Sequence, residues 1–221
     1  MSRASPGLQP SRGEWALLAA LAVCLPASLA MPAAWSREGG LLESLQVAVL
    51  VAASLLALGM ALRSWPAQVS RLALWVAPVW LLLAGRELSW GREWLVQPGV
   101  GAVWLASLAR PAAMLLLALL LFSAWRYRID APVRAAFARR TPWLCLLVVL
   151  GAAMGSTCAE GHMSCELNLA ARHAQSFEEL AELLAYCALC LVQHVVFRHH
   201  AMLAASWTAV HATETKAEEP G

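Results

Sequence analysis

The chain has 221 residues, of which 60% are hydrophobic and 14% charged, with a formal charge of +2 and a mean hydropathy of +0.61. Soluble domains carry roughly a quarter charged residues, so this composition excludes an ordinary water-soluble globule and makes a lipid bilayer the expected partner. Nucleic-acid binding is also excluded as an expectation, because the fifteen Arg and one Lys are scattered, with no basic helix of base-reading residues and no zinc-finger spacing.

Residues 1–14 are polar, rich in Ser, Pro and Gly, and read as a short mobile N-terminal tail. Residues 15–35 then carry no charge and form the first expected span, in which Pro26 and Pro32 are tolerable because neighbouring helices can satisfy the freed carbonyls. The same stretch has a rival reading as a cleaved signal peptide, with Arg3 and Arg12 as its basic region and Ser28-Leu29-Ala30 as the cleavage site, although its apolar run is long for one. After the Gly39-Gly40 break, residues 41–62 give a second span whose polar residues, Glu43, Ser44 and Gln46, are confined to its beginning. The third span covers residues 69–86 and ends in Arg86-Glu87, with Trp90 and Trp94 beyond it as rings suited to a membrane boundary.

Past Pro98-Gly99, the fourth span covers residues 101–125 and carries Arg110-Pro111 in its first half. A basic loop of residues 126–140 separates it from the fifth, residues 143–158, where Gly151-x3-Gly155 would let another helix approach closely. A polar loop then leads to the sixth span, residues 177–197, and residues 198–221 read as a disordered, acidic tail. Each span approaches the ~20 residues that cross a bilayer. The expected fold is therefore all-α: one polytopic transmembrane bundle over residues 15–197 with about six spans.

Orientation follows from the loops, because Lys and Arg accumulate on the cytoplasmic side. With the N-terminus inside, the inner segments hold eleven basic residues, including Arg126, Arg128, Arg134, Arg139 and Arg140 in one loop. The outer segments hold four: Arg37, Arg86, Arg92 and Arg172. Both termini are expected in the cytoplasm.

That topology gathers the ionisable residues of the spans in the outer half. Glu43 begins the second helix, Arg86 and Glu87 end the third, Arg110 lies about two turns into the fourth, and Glu178, Glu179 and Glu182 open the sixth just after His173. An arginine facing lipid costs several kcal/mol or more, so Arg110 should find an acid or a wet cavity, with Glu43, Glu87 and Glu182 as candidates. Glu179, Glu182, Tyr186, Cys190 and Gln193 recur at helical spacing and should turn one polar stripe into the bundle. Glu43, Arg86, Arg110 and Glu179 are the candidate ligand-binding residues; Glu87, Glu182 and His173 are the candidates for acid, base or proton-relay work. Each also has a plainer reading: a packing ion pair, acids favoured at a helix N-terminus, or a loop histidine.

Cys158 and Cys165 flank the last outer loop, where an oxidising compartment would allow a disulfide. The alternative takes Cys158, His162 and Cys165 as metal ligands with Glu160 or Glu166 as a fourth, at a spacing unlike the usual zinc fingers. Cys24, Cys145, Cys187 and Cys190 fall inside spans and read as small packing residues.

The stretch Arg86-Glu87-Leu88-Ser89-Trp90-Gly91-Arg92 resembles a Glu-Glu-Ile-Ser-Trp-Gly-Gln signature of polytopic bacterial membrane proteins of unassigned activity. The similarity extends to Glu166, Asn168 and His173 before the last helix, and covers about a tenth of the chain. Arg86 stands where the signature has an acid and Arg92 where it has Gln, which separates any shared chemistry from the shared pattern. The resemblance implies a multi-pass protein of a bacterial inner membrane and names no reaction. Intramembrane zinc hydrolases related to alkaline ceramidases offer no match, since this chain lacks their His-x3-His and its one Asp, Asp130, falls in the basic loop.

No nucleophile elbow, phosphate loop or His-Glu-x2-His helix is present. The cofactor is left unknown, and four function classes stay open. The outer polar site binds a small anionic or lipid-linked ligand; it serves a metal-dependent hydrolase or transferase; it lines the path of a small or proton-coupled carrier; or its charges only fix the packing of an assembly subunit.

Overall fold

A computed structural model describes residues 10–32, 34–36, 40–65, 68–88, 103–139, 142–159, 161 and 170–217, and no strand occurs among them. The helices are α1 (Arg12–Ala30), α2 (Leu41–Arg63), α3 (Gln68–Glu87), α4 (Val103–Tyr127), α5 (Asp130–Arg139), α6 (Trp143–Ala159) and α7 (Ala171–Ala217). Four of them hold stretches long and apolar enough to cross a membrane: Arg12–Ala30, Leu41–Arg63, Val69–Glu87 and Arg172–Arg198. α4 and α6 contribute shorter apolar stretches, Pro111–Tyr127 and Trp143–Ala159.

The surface carries large apolar side chains where a soluble bundle would be polar, and polar side chains join the apolar core. Leu55, Leu56, Leu62, Phe122 and Trp125 point outward, whereas Gln46, Ser54, Ser70 and Gln193 are buried. Contiguous apolar surface of that kind marks a face that meets something other than water. With four helices of spanning length, it characterises an integral membrane protein.

Local chemistry explains the helix ends. α1 starts on a reciprocal capping box: the Ser11 hydroxyl accepts from the Glu14 N–H at 3.3 Å, and the Glu14 carboxylate accepts from the Ser11 N–H at 2.7 Å. It stops at Ala30, earlier than the expected Trp35, because Met31 is already extended ahead of Pro32. Ser36 then pins the connection to α7 through a 2.8 Å hydroxyl contact with Ser176, both buried. Within the stretch expected as a basic loop lies α5, supported by Arg134 on Asp130 one turn earlier at 2.5 Å.

The last helix corrects a second expectation. The tail from Arg198 was expected to be disordered, yet the helix continues to Ala217 and begins at Ala171 rather than Phe177. Neither Gly nor Pro interrupts residues 171–217, and Ala, the best helix former, recurs from Ala201 to Ala217, so local propensity carries the helix past the apolar segment.

α2 packs along α3, α6 packs along α7, and α7 also touches α1 and α2. Small residues let these axes come close. Ala57 and Ala61 of α2 meet Ala73 and Ala77 of α3 in one cluster, and the Ser54 and Ser70 hydroxyls donate across the interface to the Ala77 and Ala61 carbonyls at 2.9 and 3.0 Å. On α6, Gly151 faces Leu21 of α1 and Gly155 faces Phe177 of α7, so the two glycines serve two different neighbours.

A Cβ at Gly155 would sit 3.0 Å from the Phe177 ring, whereas one at Gly59 would meet nothing within 4 Å. Gly155→Val should therefore destabilise the protein by about 1–3 kcal/mol through overpacking. Gly59→Ala should leave stability unchanged or raise it slightly, since Ala is the better helix former. Thermal unfolding of the two variants side by side in detergent checks the contrast.

Candidate functional site

The polar side chains converge where the first turns of α2, the end of α3 and the early turns of α7 come together. Glu179, Glu182, Tyr186 and Gln193 follow one another at intervals of three, four and seven, so they share one face of α7, and that face looks onto α2 and α3. Each meets a different partner. Arg86 Nη2 donates to Glu182 Oε1 at 2.9 Å, while Arg86 Nε lies 3.8 Å from Glu87 Oε1. The Tyr186 hydroxyl donates to that same Glu87 oxygen at 2.7 Å. Gln46 Nε2 donates to both the carboxylate and the backbone carbonyl of Glu179, each at 2.9 Å.

Deeper in the bundle, Gln193 connects three helices. Its Nε2 donates to the Ala53 carbonyl of α2 at 3.1 Å, and its Oε1 accepts from the Trp80 indole of α3. The chain of contacts thus runs from Gln46 at one end of α2 to the middle of the bundle.

Charge in this cluster is unbalanced. Glu87 lies in the field of Glu182, Arg86 and Glu43, and Glu179 in the field of Glu182, Glu87 and Glu43. Among the described side chains the carboxylates of Glu87, Glu179 and Glu182 therefore share one guanidinium, with Glu43 adding to their field. Arg86 is the open member of the group, with 57% of its side chain exposed, while Glu87 is enclosed at 8%. Beside them opens a cleft of about 300 Å³, bounded by Arg86, Glu182 and Tyr186 on one side and by Ala152, Ser156 and Thr157 of α6 on the other. Small α6 side chains leave that space unfilled.

One buried polar atom has no partner among the described residues. Gln46 is fully enclosed, its amide nitrogen is committed to Glu179, and its Oε1 accepts nothing. An orphaned carbonyl oxygen of this kind forgoes about 1–3 kcal/mol, which a donor or a cation at the site would return.

Of the residues singled out from the sequence, Glu43, Arg86, Glu87, Glu179 and Glu182 meet here. His173 does not join them through any described contact: it lies in the first turn of α7, where its Nε2 accepts from Arg172 Nε at 3.1 Å. Arg110 belongs to α4, and its side chain lies outside the described residues, as do His162 and Cys165. Cys158 is disulfide-bonded, so its sulfur carries no thiolate to offer a metal, while Cys24, Cys145, Cys187 and Cys190 form no disulfide. Among the described residues, no group of three His, Cys, Asp or Glu side chains is placed to hold a metal ion. Gln46 and Trp80 are the participants that pattern reading passed over. The signal for Gln46 was its position three residues after Glu43, which puts both on one face of α2.

Tyr186→Phe removes the hydroxyl donor to an enclosed carboxylate and should cost about 1.5–3 kcal/mol, the range for hydrogen bonds to charged groups. Arg86→Gln breaks a partly exposed pair, and a double-mutant cycle with Glu182→Gln should return a coupling of only about 1 kcal/mol or less. Unfolding free energies of the single and double variants, measured in one detergent, test this ordering. No protein family, curated protein or solved structure matches this chain.

Proposed function

We propose that this chain is a multi-pass protein of a bacterial inner membrane, crossing it six times with both termini in the cytoplasm, and that its outer-half carboxylate cluster binds a positively charged ligand. The six-span arrangement adds α4 and α6 to the four helices of spanning length. α6 has 17 residues, which rise ~26 Å and bring it near the ~30 Å hydrocarbon thickness. The basic residues around α5 supply the cytoplasmic bias.

The observation that carries the ligand reading is the excess of carboxylate over guanidinium among the described side chains, one of which, Glu179, is held by the amide nitrogen of a buried glutamine whose oxygen is orphaned. Among the described side chains Glu87, Glu179 and Glu182 outnumber Arg86, and Gln46, whose Nε2 donates to Glu179, carries an Oε1 with no partner there. Since no three of these acids are placed to hold a metal ion, an excess of negative charge of this type suits an organic ammonium group. An anionic or lipid-linked ligand would have to displace Glu182 from Arg86 and enter a field already negative. Ligand entry is supported by the cleft against α6, from which Arg86 and Glu182 are reached. A cation held here, where a membrane protein places charge at a structural cost, fits a carrier or a ligand-sensing subunit more closely than a hydrolase.

The test is thermal unfolding in detergent with ethylammonium or tetramethylammonium as the added ion, against NaCl at the same ionic strength. A ligand that binds only the folded state stabilises it by about 2.7 kcal/mol at a hundred times its dissociation constant. We expect at least one of the ammonium ions to raise the wild-type midpoint in a concentration-dependent way, and Glu179→Gln and Gln46→Leu to abolish the rise. If phosphate stabilises instead, and Arg86→Gln removes that effect, the cationic reading fails and the anionic one replaces it. Independently, reporter fusions should place the Arg126–Arg140 connection in the cytoplasm.

A further inference from the structure

The opposite end of the bundle carries a second feature, unrelated to the carboxylate cluster. Between α2 and α7, running from that end past the Gln193 to Ala53 contact, lies an open groove of about 700 Å³ whose walls include Leu56, Met60, Cys190 and Phe197. The space over Gly59, midway along it, is empty: a Cβ there would touch nothing within 4 Å. The groove is apolar along its length and basic at its mouth, where Arg63, His194 and Arg198 gather.

The position of these cations is informative. Arg63 closes the apolar stretch of α2 and Arg198 closes that of α7, so both stand where hydrocarbon gives way to headgroups. Both are exposed, and neither has a carboxylate partner among the described residues. His194, one turn before Arg198 on α7, is exposed beside them. From Arg63 back to Val49, the innermost α2 residue of the groove, the helix rises ~21 Å, more than the ~15 Å that one leaflet's hydrocarbon occupies. The groove is thus deep enough to accommodate one acyl chain lengthwise.

We infer that this groove is a binding site for an anionic phospholipid of the adjoining leaflet, with its phosphate between Arg63 and Arg198 and one acyl chain over Gly59. Basic pockets between membrane helices recognise anionic headgroups through this combination of charge and depth. A soluble anion would have no use for the apolar wall of Leu56, Met60 and Phe197. A second copy of the chain, docked about a two-fold axis, would bring the same arginines against one another without compensation.

Native mass spectrometry of the full chain tests the inference, with phosphatidylglycerol and phosphatidylcholine of identical acyl chains offered in equal amounts. Wild-type protein should retain one phosphatidylglycerol in preference to phosphatidylcholine by roughly tenfold or more. Replacing both exposed arginines, Arg63→Gln with Arg198→Gln, should bring the preference close to one. Gly59→Leu, which fills the open space while leaving both arginines in place, should reduce retention of either lipid. Equal retention of the two lipids by wild type, or a preference untouched by the double variant, overturns the inference. A dimer mass that is lost in Gly59→Leu also overturns it and assigns the groove to a second copy.

Discussion

In hydrocarbon, a polar group that finds no partner inside the protein finds none at all, and this constraint organises the bundle around α7. Its stripe of Glu179, Glu182, Tyr186 and Gln193 has to be covered, and α2 and α3 cover it with Gln46, Arg86, Glu87, Trp80 and the Ala53 carbonyl. Gln193 is the deepest of these bonds and the one that engages both neighbours at once. Apolar packing between helices cannot select a rotation by itself, because lipid tails are as apolar as leucine. The polar contacts do, and the small residues Ala57, Ala61, Ala73 and Ala77 then allow α2 and α3 to close together.

Structure and candidate function are therefore drawn from the same residues. The contacts that orient α7 also assemble the carboxylates, and the assembly leaves one oxygen of Gln46 unsatisfied and one charge balance incomplete. A bundle needing only a fixed rotation could achieve it with the neutral bonds of Gln193, Ser54 and Ser70. Among the described side chains Glu87, Glu179 and Glu182 around one arginine exceed that requirement, and buried ion pairs seldom add stability in return for their desolvation. The surplus is the reason to regard this end of the molecule as a site.

The two ends of the bundle differ in electrostatic sign. Carboxylates gather where α2 and the apolar part of α7 begin, and arginines where those same stretches end. Between them runs an apolar groove on one side of the α2–α7 pair and a small polar cleft on the α6 side. Charge segregation along a helix pair makes its two ends chemically distinct. It also leaves each end suited to a ligand of opposite sign.

Much of this architecture was legible from residue order. Uncharged runs between charged connections located α2, α3, α4 and α6 closely but overran α1, missed α5 and fell short at both ends of α7, and the Glu179 to Gln193 spacing identified the face of α7 that turns inward. Other features were not legible, for identifiable reasons. The capping box of Ser11 and Glu14 was written in the sequence and passed over beside a Pro- and Gly-rich tail. The continuation of α7 to Ala217 was hidden by polarity, which is compatible with helix as well as with disorder. Arg86 and Glu182 are 96 positions apart, and nothing in local pattern could prefer Glu182 over Glu43 as the arginine's closest acid. Hydrophobic length and periodicity are local quantities, so the sequence by itself determined that there are helices suited to lipid and which of their faces are polar. Which acid meets which base, which glycine meets which neighbour, and that an amide oxygen is left over depend on the relative rotation and depth of helices distant in the chain, and only the tertiary structure decided them.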